Sequence, residues 1–384
     1  MVHARRMKVG ASKVRVTPDS GVFLSGFPRG RRSTGVHDDI WVRCLSIDDD
    51  KTLLSIATAD VWGVLREDVD SITSELKLGS TEHLLLCSTH VHSAPDMLGI
   101  FGPDSRTSGT DEKYVQKFRS AVVQCVNDSR LSMREVSVRI SSGKPGIRIE
   151  NSRTPGLVDR ACLNVYLAEG DGKAVHTIVN STCPPLLSYE ENTKVSSDWL
   201  SSFYDRTDKR MRGVSLFLQG SPGGILPPIV ANRTFEEADN IGRAMSEQAV
   251  NSYGKASKIG LDHLAVSERT LEVPVENRLM MALSALGTLR GRVHDKRRTT
   301  VSTVRLGPLT IATFPGSAFP KVALETKEMM KTPHRVVASF VNDYIGFIIP
   351  SSEFDPAKYE ERISLGRDVA AALVSELAQP LGTS

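Results

Sequence analysis

The chain has 384 residues, 40% hydrophobic and 24% charged, the composition of an ordinary globular protein. Its 48 Lys and Arg against 45 Asp and Glu leave a formal charge of +3, which gives no general drive toward nucleic acid or an anionic membrane. No apolar run is long enough to cross a bilayer, and the basic N-terminus lacks the apolar core of a secretory signal. The five cysteines are widely spaced, with no disulfide framework or metal knuckle, so a reducing, cytoplasmic setting is expected.

Residues 1–9 read as a flexible, basic start, and residues 10–384 as one continuous domain. Ala11 to Val16 form a first expected strand, followed by a Gly/Pro/Arg-rich loop containing Ser25-Gly26-Phe27. The turn Gly35-Val36-His37-Asp38-Asp39 leads into a strand from Trp41 to Ile47; Asp48 to Lys51 form an exposed hairpin, and Thr52 to Ala59 return, ending at Asp60. A helix is expected over 63–77. Asp111 to Asn127 is the clearest amphipathic helix, with Val115, Phe118, Val122 and Val126 at three- and four-residue steps.

Strands follow at Val136 to Ile140, and at Cys162 to Leu167 and Ala174 to Val179 around Gly170-Asp171-Gly172. The second of this pair breaks at Cys183-Pro184-Pro185. A helix from Ser197 to Arg206 precedes a strand from Val214 to Leu218, and Gly220 to Gly224 resembles an anion-holding loop in which Pro222 removes one donor. Thr234 with Glu237 caps a helix running to about residue 252. Residues 264–273 read as a strand, 276–289 as a helix and 290–300 as a solvated basic cluster. Two strands flank Gly307, a helix spans about 318 to 330, and strands cover Val336 to Val341 and Tyr344 to Ile349. A last helix runs from about Arg362 to Leu377. Alternating strands and helices with tight hairpins indicate an α/β fold: mixed β-sheets layered with helices in a single large domain.

The chemistry concentrates at residues 84–96. Leu84, Leu85 and Leu86 are the run of a strand buried on both faces, and His90 and His92 follow two residues apart. Extended backbone would put both imidazoles on one side of the strand end, a common place for a site at the carboxyl edge of a sheet. On spacing alone, two hydrogen-bonded loop histidines explain the pattern as well.

Several loops together resemble the neutral/alkaline, non-lysosomal ceramidase family in its N-terminal catalytic domain. They are Gly35-Val36-His37-Asp38, Ser88-Thr89-His90-Val91-His92-Ser93, Asn151 with Arg153 and Asp159, residues 178–185, Gly220 to Pro227, Phe314-Pro315-Gly316, and Asn342-Asp343-Tyr344-Ile345-Gly346-Phe347. The resemblance covers about residues 10–360. It implies a zinc amidase that hydrolyses an N-acyl bond with metal-bound water. It assigns His90 as a metal ligand, His92 to the oxyanion, Tyr344 to closing the metal site, and Arg153 to the substrate.

Two departures stand out. Cys183 replaces a metal-binding histidine and Ser317 replaces a glutamate, while Gly224 and Leu226 replace polar residues of the Gly-rich loop. A catalytic zinc normally takes three protein ligands; Cys183 is chemically able to serve, and a neutral serine is a poor substitute for a carboxylate. Asp60 is a rescue carboxylate and His37 a further donor, which makes His90, Cys183, Asp60 and His37 the expected metal set. Their bland readings are a buried small residue for Cys183 and turn residues for Asp60 and His37. Arg153 either clamps a substrate carboxylate or pairs with Asp159.

The expectation is a zinc-dependent hydrolase of an amide substrate smaller than ceramide. The alternatives are a catalytically inactive relative that binds a ligand or partner, and an enzyme using Cys183 as nucleophile with His90 or His92 as base.

Overall fold

The computed structural model describes residues 7–19, 21–26, 28–170, 172, 174–187, 191–225, 227–260 and 263–382. Phe27, Asp171 and Leu226, named above in loops, lie outside them. In chain order the first half comprises β1 (Met7–Arg15), β2 (Gly35–Val36), β3 (Trp41–Asp48), β4 (Leu53–Ala59), α1 (Arg66–Leu76), β5 (Glu82–Ser88), α2 (Glu112–Leu131), β6 (Arg134–Gly143), β7 (Cys162–Glu169) and β8 (Val175–Ser181). There follow β9 (Lys194–Val195), α3 (Trp199–Met211), β10 (Ser215–Gln219), α4 (Phe235–Tyr253), β11 (Ser257–Lys258), β12 (Leu264–Pro274) and α5 (Arg278–Ala285). The chain ends with β13 (Lys296–Leu306), β14 (Leu309–Thr313), β15 (Ser317–Ala318), α6 (Pro320–Met329), β16 (His334–Ala338), β17 (Phe347–Ile348) and α7 (Val369–Gly382).

Two mixed sheets face each other. The larger runs β10-β8-β7-β6-β1-β3-β4-β5, with β11 on β6; the smaller runs β12-β13-β14-β16. Between them lies an apolar layer that includes Val9, Leu45, Ile56, Leu85, Val138, Val304, Ile311 and Val336. The other face of the large sheet packs on α2, α3 and α4, and that of the small sheet on α6 and α7. The order of layers is therefore α/β/β/α, the α/β class expected from the sequence. Both faces of each sheet being covered explains why so many strands are continuously apolar rather than alternating.

Strands β4 and β5, β8 and β10, and β14 and β16 pair in parallel, each pair bridged by a helix, α1, α3 and α6. These three crossovers deliver loops at the carboxyl ends of their strands, where α/β sheets build sites. Helix α2 shows how directly sequence dictates element here: Asp111 caps it by accepting from the Lys113 and Tyr114 amides at 2.9 and 3.2 Å, and the expected Val115, Phe118, Val122 and Val126 form its buried face.

Some elements differ from expectation. The first strand starts at Met7, because Met7 and Val9 are buried between the sheets. The Asp48 to Lys51 hairpin is not wholly exposed: Asp49 is buried and accepts the Lys51, Thr52 and Leu264 amides, tying the two sheets together. Tyr344 to Ile349 contributes only the short β17. The last helix starts at Val369, after a strap over 360–366 whose carbonyls at Glu361, Arg362 and Ser364 are bound by the Asn277 side chain. The basic cluster is not all solvated, since Arg297 is buried on Asp343 and Arg290 reaches the buried Asp68. No helix among the described residues is long and apolar enough to cross a membrane.

Candidate functional site

A cleft of about 880 Å³ opens at the carboxyl ends of the parallel strands. Trp62 enters it from the loop after β4, His90 and His92 from after β5, Leu186 from after β8, Pro222 to Ile225 from after β10, and Ser317 from after β14. Arg153 and Tyr359 complete the wall.

Strand β5 stops at Ser88, and His90 has φ of 69°, so the extended geometry expected for the histidine pair does not hold. The rings meet edge to face instead, with centroids 5.0 Å apart. His90 is sandwiched between Phe340 at 4.1 Å and Trp62 at 5.3 Å. Its Nδ1 lies 2.9 Å from the Trp62 carbonyl, so that nitrogen carries the proton and Nε2 is left as an acceptor. His92 Nε2 accepts the Trp62 indole N–H at 3.1 Å. Burial pushes the His90 pKa down to about 4 against the one hydrogen bond that favours charge; burial, then the neighbouring His90 and Arg31, hold His92 well below its ordinary value. Both rings are neutral at physiological pH.

Trp62 is the residue that sequence reasoning missed. One side chain orients both histidines, through its carbonyl and its indole. The available signal was its place three residues beyond the end of β4, beside the strand that carries the histidines.

The backbone around the pair is constrained. His90, Phe340 and Asn342 all have positive φ without being glycine, at 69°, 59° and 58°. Such conformations persist only where the surroundings enforce them, and they gather at sites. Asn342 supplies the enforcement: its side chain accepts the Leu86 amide at 2.8 Å and donates to the Leu84 carbonyl at 2.9 Å, continuing β5 like an extra strand. Gly26, at φ of 88°, is needed for a different reason, since a Cβ there would lie 2.5 Å from His92 Nδ1.

Tyr344 packs on Trp62 at 4.5 Å, and its phenol, raised well above the ordinary value by burial and the nearby Tyr359, has no hydrogen-bond partner among the described residues. The turn before it is held by buried Asp343, which accepts from Arg297, the Arg66 amide and Thr299. Ser317 is buried at the cleft, and its hydroxyl makes no hydrogen bond among the described residues.

The structure brings His90, His92, Arg153 and Ser317 to one cleft, with Tyr344 packed behind Trp62. The rest of the expected metal set goes elsewhere. Cys183 faces a separate cavity with Asp159 and Ser181, and burial holds its thiol far above the ordinary range, which also removes it as a nucleophile. Asp60 is buried behind the histidine turn, accepting from the Trp41 amide, Thr89 and Tyr204; burial raises its pKa to about 7. His37 stacks on Phe235 at 3.7 Å and bonds Asp38 at 2.8 Å.

Among the described residues no three His, Cys, Asp or Glu side chains stand together as a metal site. A zinc needing three such ligands does not fit the residues present. Packing explains the separation: Cys183 and Asp60 sit where a small apolar residue and a hydrogen-bonded acid complete the core.

Arg153 pairs neither with Asp159 nor with open space. Its guanidinium bonds Glu360 at 2.8 Å, Glu361 at 2.8 and 3.0 Å, and the Glu353 carbonyl at 2.7 Å, while Asp159 pairs with Lys327 at 2.5 Å. It is a wall brace rather than a free clamp. The Gly220 to Gly224 loop is no anion cradle, because the Gly220, Ser221 and Gly223 amides donate to Ser181, Thr182 and Ala318.

No protein-family model matches the chain, and no curated protein matches it. Solved structures do. Neutral ceramidase from Pseudomonas aeruginosa superposes with a TM-score of 0.85 at 16% identity, covering 98% of this chain and 74% of that one. A ceramidase complexed with C2 superposes with a TM-score of 0.84 at 14% identity, covering 98% and 75%. At this identity the likeness establishes the fold: this chain is built on the ceramidase architecture that the loop motifs suggested.

Proposed function

We propose that the protein binds an N-acyl, lipid-like small molecule in the histidine cleft, without zinc. The carrying observation is the neutral His90–Trp62–His92 unit at the floor of a cleft of about 880 Å³ in a ceramidase fold. That volume lies in the range of small-molecule sites, roughly 300–1,000 Å³. The lining is mainly apolar, from Trp62, Leu186, Pro222, Ile225 and Phe347, which suits an acyl chain. His90 Nε2 accepts an amide N–H of the bound molecule. Zinc-dependent hydrolysis is the weaker reading, because Cys183, Asp60 and His37 are spent elsewhere and Ser317 brings no charge.

The test is binding of a short-chain ceramide to the full chain, followed by tryptophan fluorescence, with and without EDTA, alongside metal analysis. Binding that survives EDTA and weakens at least tenfold in His92→Leu is expected. An equivalent of tightly held zinc, or binding abolished by EDTA, would overturn the reading.

One observation favours a second reading. The unbonded Ser317 hydroxyl shares the cleft with His90, whose Nε2 is free to take a proton. Metal-free acyl transfer would then run by attack of Ser317 Oγ on the amide carbonyl, its proton passing through His90 to the leaving amine, and water releasing the acid from the serine ester. Fatty-acid release in EDTA that is lost in Ser317→Ala would establish it.

A further inference from the structure

The small sheet carries a second cavity, of about 360 Å³, on its face away from the large sheet, closed by α7 and the turn after α6. It shares no lining residue with the histidine cleft. Three permanent cations line it, Arg269, Arg305 and Lys331, and among the described residues no Asp or Glu does.

Arg305 is the unusual member. It lies on β13 opposite Ala265 of β12 and Thr310 of β14, short neighbours that leave its guanidinium uncovered within the cavity. Among the described residues it makes no side-chain hydrogen bond or ion pair, and its Nε is fully buried with no acceptor. Among the described residues the flanking cations also meet no carboxylate. Arg269 donates to the Gln379 amide oxygen at 3.0 Å, and Lys331 to the Gly382 carbonyl at 2.7 Å. Elsewhere several enclosed arginines of this chain are paired with carboxylates: Arg43 with Asp208, Arg153 with Glu360 and Glu361, and Arg297 with Glu67 and Asp343. Around Arg305 no described residue supplies a counter-charge. A buried donor and like charges gathered in a concave site are satisfied together by an oxyanion.

We propose that this cavity binds a small phosphomonoester, with its phosphate on Arg305 between Lys331 and Arg269. A dianion matches three converging cations better than a carboxylate does, and the guanidinium fork fits two phosphate oxygens. The volume exceeds that of a phosphate alone, and the hydroxyls of Ser267 and Thr303 offer partners to a hydroxylated body. The same chemistry is presented by a soluble phosphate ester and by a phosphate-bearing lipid headgroup.

Isothermal titration of the full chain with glycerol 3-phosphate, at constant ionic strength and with chloride as the control anion, tests the site. Saturable binding at one site is expected, weakened at least tenfold by Arg305→Gln and by Lys331→Ala. His92→Leu, in the other cleft, should leave it unchanged. Arg305→Gln removes no observed bond, so its thermal melting should match that of the parent. Co-sedimentation with phosphatidic acid vesicles, against phosphatidylcholine vesicles, separates the two sources. Retention that Arg305→Gln abolishes assigns the headgroup; binding of glycerol 3-phosphate without retention assigns the soluble ester. No saturable binding of glycerol 3-phosphate and no Arg305-dependent retention, or an Arg305→Gln protein that binds like the parent, would overturn the proposal.

Discussion

Asp60→Asn separates two roles for the acid behind the histidine turn. As a metal ligand Asp60 would be ionised throughout the physiological range. As the structure places it, burial lifts its pKa from 3.8 to about 7 despite hydrogen bonds from Trp41 and Thr89. Between those values the folded chain keeps a proton that the unfolded chain has released. Asp60 therefore lowers stability as pH rises through this window, by about 1.4 kcal/mol per unit. His90 acts in the opposite sense. Its folded value of about 4 lies below the ordinary 6.5, so the unfolded chain binds the extra proton and stability is lost as pH falls from 6.5 toward 4. The Asp60 slope opposes that of His90, to which the lowered His92 adds, and Asp60→Asn removes the Asp60 slope alone. From about pH 4.5 to about pH 6.5, the variant should gain about 3 kcal/mol relative to the parent. Urea unfolding of both proteins at several pH values measures this difference directly. Curves that stay parallel across the window would refute the argument, since they would mean that Asp60 is already ionised in the folded chain.

Trp62→Phe keeps an aromatic ring and removes the indole hydrogen bond to His92 Nε2; a loss of about 0.5–1.5 kcal/mol in unfolding free energy is expected, with weaker short-chain ceramide binding. Arg153→Ala strands Glu360 and Glu361 and should cost about 3–5 kcal/mol by urea unfolding; adding Glu360→Gln and Glu361→Gln should recover part of it. All five cysteines are buried and free, and burial holds the Cys183 thiol protonated, so iodoacetamide on the native protein at neutral pH should leave Cys183 unmodified in a peptide-mass experiment.

The layers were legible because they rest on local signals. The apolar runs at Leu84 to Leu86 and Ile178 to Val179, and the helical spacing of Val115, Phe118, Val122 and Val126, fix strand and helix without reference to distant residues. His90 and His92 were legible for the same reason, being neighbours in the chain. The failures required partners far away in sequence. Arg153 meets Glu360 and Glu361 only because the strap before α7 folds back over the cleft, and nothing near residue 153 signals that. Cys183 and Asp60 suit a ligand set by chemical type, yet type does not say which way a side chain turns, and both are buried away from the histidine cleft, Cys183 at a separate cavity and Asp60 behind the histidine turn. Trp62 carries no such local signal, because its contacts to the histidines are divided between a carbonyl and an indole, and the carbonyl half has no sequence signature.

The way the cleft is held in place bears on its chemistry. The costly parts are the positioning parts: three positive-φ residues, the Asn342 brace on β5, the Asp343–Arg297 anchor and the Trp62 bridge. Strain of this kind has no use in a fold that merely needs a plugged sheet edge, where an apolar side chain at 90 would pack with less cost. A neutral imidazole held rigidly between two aromatic rings, with one nitrogen committed and the other free, is instead a fixed hydrogen-bonding surface. If that surface holds a ligand, replacing His90 by Leu should raise stability or leave it unchanged while short-chain ceramide binding collapses. If it were only packing, binding and stability would move together. The sign of the stability change in His90→Leu, measured beside its affinity, thus distinguishes a site maintained for recognition from a remnant of the architecture.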